Sequence, residues 1–274
     1  MTPTMDRVSI NGAELEVAVH GVGEAIVFIH GAGFADSYRA LADDPAVRNH
    51  YRTIRYRRRG FAGSSPVDRP MSVSAHADDC RALLDALGVA KAHVVGHSYG
   101  GAVALQMAVD EPDVVTTLGL FEPALLAVPS GPQFFEVVSP IIEKYNSGDR
   151  ADAVHAFIAA VGGRDWRSHV ERTVPGGVEQ AESDAATLFD SDLPSIGGWT
   201  FEAEQAEKIN QPVLFVLGSD SVPLFVEGRD LLHSLLPQTE DALLAGATHL
   251  LQMARPAEAA AALADFLKKH HQNS

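Results

Sequence analysis

Apolar residues recur along this chain with two different periods. Residues 7–10 and 15–20 alternate in steps of two on either side of Asn11-Gly12. Asn and Gly both tolerate positive φ, so this pattern predicts an antiparallel hairpin. Ala25-Ile26-Val27-Phe28-Ile29 is instead apolar throughout and stops at His30-Gly31. A run of that kind is a strand covered on both faces of a parallel sheet. Residues 51–56, 93–95, 116–121, 212–217 and 242–244 read as further strands. Segments with helical spacing lie between them. Asp36 is read as the cap of a helix reaching about Val47. Ser72 or Ser74 opens another through Leu87, closed by Gly88. A third follows residue 98 and is stopped by Pro112. Pro223 starts a helix to Leu236, and residues 256–270 form a terminal one. Strands alternating with helices predict an α/β fold: a doubly wound, mostly parallel, eight-stranded sheet.

The alternation fails between Pro123 and Asn210. Residues 134–145 and 149–161 look helical, separated by glycine-rich joints such as Gly162-Gly163 and Pro175-Gly176-Gly177. A structureless loop of this length is improbable in a compact domain. The expectation is therefore a core of residues 1–123 and 210–274 carrying a helical cap of residues 124–209. Phe134, Trp166 and Trp199 in that cap are candidates to contact a substrate. Aromatic side chains in a helical insertion more often form its own core.

Charge narrows the partners. The formal net charge is −15 over 274 residues. A surface this acidic repels phosphate backbones and anionic lipid, so neither nucleic acid nor a membrane is expected as partner. No run of about 18 uncharged apolar residues suggests a membrane span. The single cysteine, Cys80, allows no internal disulfide and reads as a half-buried structural thiol. The polar start of the chain does not look like a secretory signal. Together these features predict a cytoplasmic protein acting on a small molecule, with a homodimer left open.

The chemistry starts at Gly96-His97-Ser98-Tyr99-Gly100. A strand precedes this G-x-S-x-G pattern and a helix follows it. A serine on so sharp a turn stands clear of the sheet, and glycines two residues either side avoid collision. The residue after such a nucleophile, Tyr99, offers one N–H to a tetrahedral oxyanion. Ala32, in His30-Gly31-Ala32-Gly33 after the third strand, offers the second. His30 reads as an organiser of that loop. His249, in Gly246-Ala247-Thr248-His249 beyond the last strand, is the candidate base. His233 falls within a helix, and His270 and His271 lie in the tail. No metal-binding cluster or phosphate loop is recognisable, so no cofactor is expected.

These motifs resemble the α/β-hydrolase superfamily from His30 to His249. The run from Arg57 to Ser65 is similar to its D-x-R-G-x-G-x-S loop, with Arg57 where aspartate is usual; the arginines read as a solvated face. The resemblance implies a third catalytic group, a carboxylate. Its usual place, G-x-x-D after the seventh strand, holds Ser221, and Asp220 stands one residue early. The alternative is Glu122, after the sixth strand. Some members that look like zearalenone lactonase carry their acid there, and Glu122 is favoured on that ground. Asp220 or Ser221 would then cap the following helix.

A serine nucleophile implies hydrolysis of an ester or lactone of a largely apolar substrate through an acyl-enzyme. Carbon–carbon hydrolysis, perhydrolysis and cofactor-free haloperoxidase chemistry use the same machinery. A ligand-binding or signalling protein with little turnover is the reading from a different class.

Overall fold

The computed structural model describes residues 5–271. Eight strands form one sheet: β1 (Asp6–Ile10), β2 (Ala13–His20), β3 (Ala25–Ile29), β4 (Arg52–Tyr56), β5 (Ala92–His97), β6 (Val115–Phe121), β7 (Val213–Gly218) and β8 (Thr239–Leu244). Their spatial order is β1-β2-β4-β3-β5-β6-β7-β8. β2 pairs antiparallel with β1 and β4, and every other pairing is parallel. Asn11 and Gly12 take φ of 43° and 75° at the hairpin, as its turn chemistry requires.

The apolar strands are buried on both faces because alternate residues enter different layers. In β3, Val27 and Ile29 join one core while Ile26 and Phe28 join the other. In β7, Val213 and Phe215 face the first and Leu214 and Val216 the second. The long helix Val73–Ala86 is capped by Ser72, whose side chain accepts from Ala75 N–H. Among the described residues no helix is long and apolar enough to cross a membrane.

Between β6 and β7 the chain forms helices Gly131–Asn146, Arg150–Gly162, Trp166–Thr173 and Gly177–Ser183, a π-helix Thr187–Asp192, and two short helices. These carry a third apolar cluster, into which Phe34, Leu250 and Met253 of the flanking core pack. Insertion and sheet therefore share buried contacts.

Several local expectations need correction. The segment after Asp36 is not one helix. Pro45 starts a separate helix, Pro45–Arg48, capped by Asp44, and the first turn is only Arg39–Ala42. Proline cannot continue a helix but suits its first position. The Asp36 carboxylate is occupied by Arg57 instead. Nor are the arginines a solvated face. Arg57 bridges Asp36 and Glu16, and Arg59 pairs with Asp79. Arg58 is 1% exposed and makes a forked pair with Asp192 of the π-helix, at 3.1 and 2.6 Å. Such burial is tolerable only because the guanidinium is matched by a carboxylate and by the carbonyls of His30 and Gly31. Cys80 is fully rather than half buried, and burial pushes its thiol up to about 12.

The glycines around residue 98 have steric reasons. A Cβ on Gly100 would fall on the carbonyl oxygens of Ile29 and His30, and one on Gly96 on that of Gly100. Both obstacles are backbone. Gly100→Ala is thus expected to cost more than the ~1–3 kcal/mol usual for overpacking, read as a lowered urea midpoint. A loss under ~1 kcal/mol would show that the turn can yield.

Candidate active site

β5 and β6 end level with each other, with His97 paired to Phe121. The next residue of each strand turns through positive φ: Ser98 at 53° and Glu122 at 44°. Neither side chain favours that region, so the surrounding structure must enforce it. Ser98 N–H donates to Phe121 O, and Ser98 O accepts from Ala124 N–H, both at 3.0 Å. These bonds tie the two turns together. The helix Tyr99–Asp110 starts at the next residue.

Glu122 is fully buried and its two oxygens are divided. Oε2 lies 2.8 Å from His249 Nδ1. Oε1 accepts from Gly218 N–H at 2.8 Å and from Ser221 Oγ at 2.5 Å. Asp220 is exposed, and its carboxylate accepts from its neighbour Ser219 at 2.8 Å. The structure thus brings Glu122 to His249 and leaves Asp220 in solvent. Ser221 does not cap the next helix. The loop after β7 supplies two donors to Glu122 rather than a carboxylate of its own.

The His249 imidazole is held on several sides. Phe225 stacks on it at 3.9 Å between centroids and 6° between planes. The His97 ring lies 4.5 Å away, and its Nε2 meets His249 O at 2.8 Å. Since a carbonyl only accepts, His97 donates there. Thr248 Oγ1 donates to Gly162 O at 2.7 Å, anchoring the loop that carries His249 to the insertion. Sequence reasoning missed Phe225, which has no local motif. His97 was visible only as the variable residue of the elbow.

Burial pushes the Glu122 carboxyl up and the His249 imidazole down, to about 3. Both shifts disfavour a separated ion pair in the resting site, so His249 is neutral at ordinary pH. Replacing Phe225 by alanine opens this site to water. The acid limb of kcat/KM in Phe225→Ala should move to higher pH, towards the ordinary histidine value of about 6.5. A ring face would itself stabilise imidazolium by roughly 0.5–2 kcal/mol; that effect opposes burial and is the smaller one. An acid limb displaced downward would show the stack to dominate.

Ser98 and His249 line one cavity together with Ala32 and Tyr99. Ser98 Oγ and His249 are not hydrogen-bonded to each other here; such pairs are often loose until substrate arrives. His30 orders the loop before Ala32: its Nδ1 meets Gly31 O at 2.7 Å and its Nε2 accepts from Arg58 N–H at 2.9 Å. The rest of the wall is largely apolar, with Phe134, Phe157, Leu224 and Leu250 contributing. Asp192 is its one acidic residue, held by Arg58.

Of the three aromatic candidates, Phe134 alone reaches this wall. Trp166 is buried in the insertion's own core. Trp199 packs on the main core and donates from Nε1 to Gln106 at 2.8 Å. Indole rings with a core to fill and a partner for their N–H stay there. Among the described residues no group of three His, Cys, Asp or Glu is placed to hold a metal ion.

Comparison with known proteins agrees with this architecture. Over 108 residues the chain is 34% identical to a 2-hydroxy-6-oxononadienedioate/2-hydroxy-6-oxononatrienedioate hydrolase from a Pseudomonas species, a match covering 39% of this chain and 36% of that protein. It is 27% identical over 249 residues to an Agrobacterium fabrum protein provisionally named a carbamate hydrolase, RutD, covering 87% of this chain and 92% of the other. A thermophilic esterase from Thermogutta terrifontis superposes with a TM-score of 0.79 over 97% of this chain and 100% of its own, at 22% identity. At that identity the likeness is one of fold. A family model described as alpha/beta hydrolase fold matches residues 24–256. The chain belongs to the alpha/beta hydrolase fold family.

Proposed function

We propose that this protein is a serine hydrolase that cleaves an ester or lactone of an uncharged, largely apolar substrate. The observation that carries the reading is Glu122 Oε2 at 2.8 Å from Nδ1 of His249, an imidazole that lines the same cavity as a serine held at φ 53°. In this reading Ser98 Oγ attacks the carbonyl carbon while His249 Nε2 takes its proton. The oxyanion is received by the N–H groups of Ala32 and Tyr99, each such donor being worth about 3 kcal/mol at the transition state. His249 then returns the proton to the leaving alkoxide. Water, activated by the same imidazole, releases the acyl group from Ser98. Glu122 keeps the Nδ1 proton in place and offsets the charge of the imidazolium without itself taking the proton.

The cavity also weighs on substrate class. The Pseudomonas relative is named for a dioate, a substrate with two carboxylates. Here the buried Arg58 is already matched by the cavity's Asp192, and the wall is largely apolar. A buried substrate carboxylate would lack a partner, which is costly. This favours an uncharged ester or lactone over that carbon–carbon substrate.

A fluorophosphonate probe tests the proposal. It should attach covalently to Ser98, located by peptide mass mapping, and the protein should turn over p-nitrophenyl esters. Tight ligand binding with no labelling and no turnover would favour the signalling class instead.

A further inference from the structure

We propose that the apolar groove between the helices Gly131–Asn146 and Arg150–Gly162 and the start of the helix Pro223–Leu235 is an extension of the substrate site that holds an apolar chain. This deepens, and rests on, the serine hydrolase reading. The groove and the Ser98 cavity share three wall residues, Phe134, Val161 and Leu224. One hollow therefore lies on each side of the same three side chains. Outward from them the groove is lined by Val137, Ala160, Val222 and Pro223, with Gln133 and Ser130 as its polar residues and no charged one. Its hydroxyl, Ser130 Oγ, is already donated to Glu227 at 2.7 Å.

The helices that bound the groove expose apolar surface. Five large apolar side chains are exposed among the described residues, and three of them, Phe135, Val137 and Val226, lie on two of these helices. Val137 is 52% exposed yet lines the groove. Exposed apolar surface on the wall of a hollow that adjoins the Ser98 cavity marks a binding region more often than a scattered exposed residue does. Continuity with the cavity selects the occupant. A carbonyl at Ser98 with an uncharged chain attached can run past Phe134, Val161 and Leu224 into the groove and remove apolar surface from water along its length. A carboxylate tail would find no cation in its lining. The substrate class is thus an ester or lactone bearing a medium or long alkyl or acyl chain, longer than the inner cavity alone would demand.

The chain-length dependence of kcat/KM decides this. The probes are p-nitrophenyl acetate, butanoate, hexanoate and octanoate below their solubility limits. From acetate to octanoate kcat/KM should rise roughly fiftyfold, about twofold for each added methylene, which is below the limit set by full burial. Val137→Asp and Ala160→Asp put charge on the groove wall. Each should lower the octanoate-to-acetate ratio by about tenfold or more. Val22→Asp, at an 84% exposed site away from the groove, is the control and should keep the wild-type ratio. If Ala160→Asp does not fold, the exposed Val137 site carries the test. A flat chain-length profile, or a ratio untouched by Val137→Asp, would overturn the groove while leaving the hydrolase reading intact. Absence of both turnover and Ser98 labelling would remove that reading and the groove with it.

Discussion

Ser98→Ala should lower kcat by a factor of roughly a million while the protein stays folded. In the proposed mechanism Ser98 Oγ is the attacking atom. His249 and Glu122 can polarise only what the serine presents, and a methyl group presents nothing. Knocking out the nucleophile in such machinery costs about as much as removing the whole assembly, because its members act as a unit. What survives is binding and the oxyanion donors, which alone leave on the order of a thousandfold over water. The turn itself should tolerate the change, since the bonds that hold it run through the backbone: Ser98 N–H to Phe121 O and Ala124 N–H to Ser98 O. The measurement is p-nitrophenyl ester turnover alongside a thermal melt. An unchanged melt with less than ~100-fold loss of kcat would mean that Ser98 is not the nucleophile.

Glu122→Gln should cost about ten-thousandfold in kcat, and Asp220→Asn less than about twofold. The first figure follows from tautomer control. Glutamine can still accept from Gly218 and Ser221 through its carbonyl oxygen, as Glu122 Oε1 does now. Its NH2 group then faces His249 Nδ1, where the carboxylate oxygen now sits at 2.8 Å. Two donors cannot face each other, so the imidazole proton shifts to Nε2, the atom that must receive the serine proton. The geometry survives and the chemistry stops. Asp220 is exposed, with its side chain turned to Ser219. Removing its charge should alter little. Comparable losses in both variants would point to a general electrostatic effect; a large loss in Asp220→Asn alone would make Asp220 the acid.

The two carboxylates show where reading the chain runs out. Glu122 and Asp220 both follow a strand of the parallel sheet, Glu122 directly before Pro123 and Asp220 three residues before Pro223. The one-residue offset of Asp220 weighs against it, but no local pattern brings either carboxylate to His249. The lateral order of the strands does, because it sets β6 beside β5 with His97 level with Phe121. Arg58 is a similar case. Three arginines in a row read as solvated until the partner is known, and that partner, Asp192, lies 134 residues away. The stacking of Phe225 on His249 likewise joins two loops that share no local pattern.

The sequence by itself determined the order of the elements, because hydrophobic period and turn chemistry are properties of neighbouring residues. For the same reason it determined the elbow at Ser98, with the glycines whose missing side chains make room for backbone. Only the tertiary structure decided which carboxylate meets His249, which aromatics reach the cavity and which arginine is buried. Those outcomes depend on distances between segments far apart in the chain, and such distances are set by strand order and packing, which no short stretch of residues encodes.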